Sequence, residues 1–209
     1  MVLASQSPRR AELLRLAGLT FEVCPPGDVE AGLAARLAAT GVLPGDYARA
    51  LARAKAADVA VHLPGRLVLG ADTIVVVDGD ILEKPQDEAD AARLLARLSG
   101  RRHTVITAIA LCRSTTRNTS EGGGVDLVLD LCAAESTAVE FLPLGAGAIA
   151  RYIATGEPLD KAGAYGIQGY GALMVRRVEG CYFNVMGLPL ARLGLLLGQA
   201  LAGDRKETP

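Results

Sequence analysis

Short apolar runs alternate along this chain with stretches whose apolar residues recur at helical spacing, a pattern that predicts interleaved strands and helices. Val2-Leu3-Ala4 reads as a strand, and Leu13, Leu14, Leu16 and Ala17 as the apolar stripe of a helix that stops at Gly18. Ser7 suits the N-cap of that helix, Pro8 its first position and Gly18 its left-handed terminus. Residues 20–24 give a second strand, broken by Pro25-Pro26-Gly27. Residues 47–61 are rich in Ala, Leu, Arg and Lys and form a helix ended by Pro64-Gly65. Two runs, 67–69 and 74–77, flank Gly70-Ala71-Asp72-Thr73. Asp78-Gly79 is then a tight turn into Ile81-Leu82.

A helix begins at Asp87, with Leu94, Leu95 and Leu98 on one face, and residues 103–111 are a strand. Residues 113–124, polar with three consecutive glycines, read as a mobile loop. Residues 126–131 and 137–141 read as two paired strands and 146–154 as a helix. A long Gly-rich loop over 155–171 precedes strand-like runs at 173–178 and 181–185 and a closing helix over about 189–201. Helices alternating with hairpins imply an α/β fold: a mixed twisted sheet with helices on its faces. The expectation is one domain over residues 1–209 with a flexible tail from about 203, and no internal repeat is evident.

Composition narrows the function classes. Half of the 209 residues are apolar, enough for one sizeable core or two small lobes. The formal net charge of −1 gives no global pull toward nucleic acid or acidic membranes, so phosphate affinity must come from local Lys and Arg. The four cysteines are scattered without a C-x-x-C pair, which argues against zinc. The first ten residues lack a signal-peptide core, and the apolar stretch 187–203 is interrupted by Arg192, so no membrane span is expected and the compartment reads as cytoplasmic.

Arg9 and Arg10 fall in the first turn of a helix, where exposed N–H groups already carry about half a positive charge. A bound phosphate would compensate, with Ser5 and Ser7 adding hydroxyls; the alternative is that both arginines point into water. Asp72, after an apolar run, is placed at a strand edge or bulge as a metal ligand or general base, or else as a turn-forming residue. Glu30, after the Pro-Pro-Gly break, is a second carboxylate or a solvated loop acid. Lys55 and Lys84 are candidates for gripping phosphate, Lys84 the better because Pro85 restricts its backbone. In the Gly-rich run, Gln168 carries the donors and acceptor needed to read a pyrimidine edge, or the run is a structural loop packed by Tyr165. His103 reads as a hydrogen-bonding group within the fold.

The segments ASQSPRR (4–10), GADTIV (70–75), LEKP (82–85), LSGRRHTVITA (98–108), TGEPLDKAGAYGIQG (155–169) and NVMGLPL (184–190) together resemble the Maf family of nucleotide pyrophosphatases. That resemblance implies two lobes around a deep cleft, similar to the inosine-triphosphate pyrophosphatase fold, and often a homodimer. It implies hydrolysis of a nucleoside triphosphate to the monophosphate plus pyrophosphate, assisted by Mg²⁺ or Mn²⁺. By position, Asp72 looks like the catalytic carboxylate and a metal ligand, and Arg10, Lys55 and Lys84 look like phosphate-handling residues. Glu30 matches only loosely as a second metal ligand. Arg9, Thr73 and Gln168 occupy positions that separate a dTTP/UTP branch from a 7-methyl-GTP branch, and DKAGAYGIQG looks like the former. A non-enzymatic role in cell division, also associated with the family, is the rival of another class. Residues 113–124 look like an insertion relative to the family pattern.

Overall fold

The computed structural model describes residues 1–119 and 122–204. Ser120 and Glu121, at the tip of the expected loop, and 205–209 of the expected tail lie outside the described residues. In chain order the elements are β1 (Val2–Ala4), α1 (Pro8–Leu16), β2 (Glu22–Val23), α2 (Glu30–Ala39), α3 (Pro44–Ala60), β3 (Val68–Val77), β4 (Asp80–Leu82) and α4 (Glu88–Leu98). Then follow β5 (Arg102–Thr119), β6 (Gly122–Phe141), α5 (Ala146–Ile153), three short 3₁₀ turns, β7 (Val175–Glu179), α6 (Tyr182–Met186) and α7 (Leu190–Asp204). Among the described residues the sheet is seven-stranded, in the order β2-β1-β3-β5-β6-β7 with β4 pairing with β3. β1 is parallel to β2 and β3, whereas β4 and β7 run antiparallel to their partners, so the sheet is mixed as expected.

The chain divides into two compact units, the first comprising Met1–Asp72, Ala108–Ala134 and the segment from Gly187 on. In it β1 is buried throughout, which is why three consecutive apolar residues, without alternation, make a strand. Helix α1 ends at Gly18, whose φ of +69° closes a Schellman turn: Gly18 N–H donates to Arg15 O at 2.9 Å and Leu19 N–H to Leu14 O at 3.0 Å. The second unit comprises Thr73–Thr107 and Glu135–Met186. Its core joins Leu94, Leu95 and Leu98 of α4 to Phe141, Ile149 and Tyr165. Asp78 and Gly79 both have positive φ (+54° and +86°), the geometry a two-residue hairpin requires, and Val75 pairs with Leu82 across it. Asp87 caps α4 by accepting the Asp90 N–H at 2.7 Å.

Several elements differ from expectation. Residues 113–119 and 122–124 are not a loop, because β5 runs on to Thr119 and β6 starts at Gly122. The polar residues 113–117 do not interrupt the strand, and Arg117 pairs with Asp126 at 3.5 Å. The two strands expected at 126–131 and 137–141 are one, since residues 132–136 contain none of the Gly, Pro, Asn or Asp that a turn needs. Residues 181–185 are not a strand. The buried Asn184 fixes α6 instead, accepting from Thr107 N at 3.0 Å and donating to Val105 O and Thr137 Oγ1, each at 2.9 Å. Tertiary polar anchors there outweigh β propensity. Helix α2 was not anticipated; none of its residues is buried, and its half-buried face is Leu33, Ala34 and Leu37. Gly203 and Asp204, assigned to the tail, end α7.

His103 is 2% exposed and lies 2.8 Å through Nε2 from the Tyr165 hydroxyl, with its ring edge-on to Phe141 at 4.9 Å. This is the internal hydrogen-bonding role expected of it. Burial lowers its pKa to about 4. Because the folded value lies below the unfolded one, the stabilisation is complete above about pH 6.5 and is lost as pH falls toward 4. Unfolding free energies from urea titrations should therefore fall more steeply across that window in the wild type than in His103→Phe, the difference reaching roughly 3 kcal/mol at the acid end.

Candidate active site

Helix α3 and strand β3 meet at Gly70. A Cβ on that residue would lie 2.3 Å from the Ala52 carbonyl oxygen and 2.7 Å from the Ala56 nitrogen. Only a residue without a side chain allows the helix backbone to come this close. One result is that Lys55 of α3 reaches Asp72, two residues along β3. The Lys55 ammonium donates to Asp72 Oδ1 at 2.7 Å, with both side chains about nine-tenths buried (10% and 8% exposed). The same Nζ lies 2.8 Å from Glu30 Oε2. Asp72 thus stands in the middle of an unbroken strand rather than at an edge or bulge, and Glu30 opens α2 rather than lying in a loop.

The start of α1 completes this group. Arg10 Nη1 donates to Ser5 Oγ at 3.0 Å and Nε to the Gly187 carbonyl at 2.9 Å, which aims the guanidinium. Ser7 occupies the N-cap position, but its hydroxyl makes no capping bond; instead its N–H donates to Ser5 Oγ at 3.2 Å. No acidic residue occupies the first turn of α1. Burial lowers the Arg10 pKa below its ordinary value, a drop that Asp72 opposes, Arg9 deepens and Glu30 opposes in turn. Burial raises the Asp72 carboxyl above its ordinary value, against the pull of Lys55 and then Arg10. Arg10 and Lys55 therefore sit within electrostatic reach of the Asp72 and Glu30 carboxylates, and Arg9 within reach of Arg10.

The first unit thus brings together Ser5, Ser7, Arg9, Arg10, Glu30, Lys55 and Asp72, while Thr73, Lys84 and Gln168 belong to the second. Thr73 Oγ1 is 3.0 Å from Thr107 Oγ1, whose single proton is given to the Asn184 carbonyl at 2.8 Å. Thr107 thus links Thr73 to the Asn184 carbonyl. Lys84 is exposed, next to the buried Pro85 and after Glu83, whose carbonyl accepts the Gly163 N–H at 2.9 Å. Gln168, half-buried and extended, precedes the last 3₁₀ turn.

Gly70 and Gly187 carry roles that the sequence reading did not assign. Gly187, with φ of +107°, lies in a quoted motif, and the unusual backbone that puts its carbonyl on Arg10 has no signature in residue type beyond glycine itself.

For a divalent ion, the donor set is two carboxylates gathered by one ammonium. Among the described residues no group of three or more His, Cys, Asp and Glu side chains is arranged to hold a metal. Hard oxygens in this number fit Mg²⁺ or Mn²⁺ in the mode where one or two carboxylates bind the ion and substrate phosphates and water complete its shell. Among the described residues no helix is long and apolar enough to cross a membrane.

The family profile described as Maf-like protein matches residues 1–200. The chain belongs to the Maf family. It is 46% identical over 199 residues to a dTTP/UTP pyrophosphatase of Symbiobacterium thermophilum, covering 95% of this chain and 93% of that protein. A dTTP/UTP pyrophosphatase of Geotalea uraniireducens is 49% identical over 193 residues, covering 92% and 91%. One from Geobacter sulfurreducens is 48% identical over 193 residues, covering 92% of each chain. This Maf chain shares its mixed α/β architecture with the expectation drawn from its motifs.

Gly70→Ala should cost at least about 3 kcal/mol, the upper end for overpacking, because the atoms it meets are helix backbone and cannot turn aside. Urea unfolding reads this directly. A wild-type midpoint in that variant would show that α3 is not held by the close approach.

Proposed function

We infer that this chain is a nucleoside-triphosphate pyrophosphatase that hydrolyses dTTP and UTP to the monophosphate and pyrophosphate. The single observation that carries the reading is the buried Asp72 carboxylate bridged by Lys55 beside Arg10. The names of the relatives supply the nucleotide class.

A water molecule placed against Asp72 gives its proton to the carboxylate as its oxygen bonds the α-phosphorus. The bond from that phosphorus to the α–β bridging oxygen breaks, and pyrophosphate leaves with the bonding pair. A carboxylate raised toward neutrality by burial is a better base than a solvated one, and Lys55 keeps it ionised. Arg10, with Lys55 and Lys84, takes up the charge that develops on the leaving group, an interaction stronger in the transition state than before it. Arg9, Ser5 and Ser7 hold phosphate oxygens near the start of α1, where backbone N–H groups face an anion. A divalent ion held by Asp72 and Glu30 supplies, when bound, further neutralisation of the phosphate oxygens. Gln168 faces the Watson–Crick edge of the base, with Thr73 as a second residue of nucleotide choice.

Purified protein with Mg²⁺ should release pyrophosphate from dTTP and UTP in preference to 7-methyl-GTP. Asp72→Asn should fold normally and lose at least ~10²-fold in turnover, the low end for a lost general base. Near-normal turnover in that variant removes Asp72 from the chemistry, and no pyrophosphate from any triphosphate favours a purely protein-binding role.

A further inference from the structure

In the second unit, the Gly-rich run contains a polar device that the reaction as described does not use. Glu157, half-buried at the start of the first 3₁₀ turn, accepts the Tyr170 N–H through Oε2 at 3.0 Å and the Gly171 N–H through Oε1 at 3.4 Å. The Tyr152 hydroxyl, on the buried face of α5, donates to Glu157 Oε1 at 2.9 Å and accepts the Gly166 N–H at 3.0 Å. Carboxylate and phenol together therefore hold both ends of the five-residue span from Gly166 to Tyr170, with Gln168 at its centre.

The glycines show how closely the span is drawn in. A Cβ at Gly169 would lie 2.7 Å from Glu157 Oε2, one at Gly171 2.9 Å from the Tyr152 hydroxyl and 2.0 Å from the Gly166 carbonyl oxygen, and one at Gly166 3.1 Å from Glu157 Oε1. Gly169 also has φ of +65°, so its conformation as well as its lack of a side chain is required. Lys161 secures the carboxylate's own backbone by donating from Nζ to the Glu157 carbonyl at 2.6 Å.

We propose that Glu157, with Tyr152, is a positioning pair that fixes the Gly166–Tyr170 span and so sets the Gln168 amide for pyrimidine recognition. The proposal rests on the reading of the chain as a dTTP/UTP pyrophosphatase with Gln168 at the base. Neither Glu157 nor Tyr152 touches substrate in this account. They act by removing conformational freedom from a backbone that Gly166 and Gly169 would otherwise leave loose. Charge-assisted hydrogen bonds to N–H groups suit this task, because each is about twice as strong as its neutral counterpart.

The test uses full-length wild type, Glu157→Ala, Glu157→Gln and Tyr152→Phe. Hydrogen exchange is measured at the amides of residues 166, 170 and 171, alongside steady-state kinetics with dTTP and with dGTP. Glu157→Ala should speed exchange at those three amides and leave the β-sheet amides unchanged. It should raise KM for dTTP by about tenfold or more, move kcat much less, and shrink the preference for dTTP over dGTP, as expected for lost uniform binding at the base. Tyr152→Phe should free Gly166 alone, and Glu157→Gln, which keeps a carbonyl acceptor, should restore part of the preference. These two also carry the test if Glu157→Ala does not fold. Unchanged KM and preference in the variants, or an equal fall in kcat for both nucleotides, would overturn the proposal. Wild type inert toward dTTP would instead refute the functional reading, and faster exchange in the variants would then still report the tether without its role in recognition.

Discussion

A charged carboxylate in the middle of an interior strand is costly unless a cation accompanies it, and that requirement organises the first unit of this protein. Asp72 is 5% exposed, and Lys55 is the cation at its side. For a lysine on α3 to reach a strand carboxylate, the helix must lie almost against the strand, and Gly70 permits this. Glu30 then shares the ammonium, and the charge of Arg10, aimed by Ser5 and the Gly187 carbonyl, falls on the same carboxylate. Groups far apart along the chain are gathered by one electrostatic need.

The second unit solves a different problem, that of giving shape to uncharged polar groups. Asn184, Thr107 and Thr137 form a buried network in which Asn184 donates both amide protons and accepts a backbone N–H. Every member that is satisfied in this way contributes rigidity, whereas a missing partner would leave a buried polar atom exposed to its full desolvation cost. Thr73 is attached to this network through Thr107, and the Gly-rich run is packed down by Tyr165 against His103 and Phe141. Tyr165 as a structural anchor and Gln168 as a reader of the base are therefore compatible, since they are separate side chains three residues apart.

Much of this was legible in the residues, because Pro8 with Gly18, Asp78-Gly79 and the Leu94, Leu95, Leu98 stripe each have a local physical meaning that tertiary context did not override. Two of the strand errors share one cause. Glycine and polar residues were read as breaks at 70–73 and 113–124, yet at Gly70 the absent side chain serves a neighbouring helix, and in β5 and β6 the backbone ladder tolerates polar side chains on exposed faces. The residue types of the charged cluster were identifiable, and so was their attraction for phosphate. Their pairing was not, since nothing in the spacing of Glu30, Lys55 and Asp72 says that one ammonium bridges two carboxylates. Nor could local sequence show that Asn184 ties three separate segments and turns an apparent strand into α6.

The central claim is that Lys55 holds Asp72 ionised while burial raises its basicity, and the acid limb of the pH dependence of kcat/KM for dTTP measures this most directly. Removing the ammonium removes the largest influence opposing burial, so in Lys55→Met the limb should move to higher pH than in the wild type. An acid limb at the same pH in both proteins, or one displaced to lower pH, would contradict the claim.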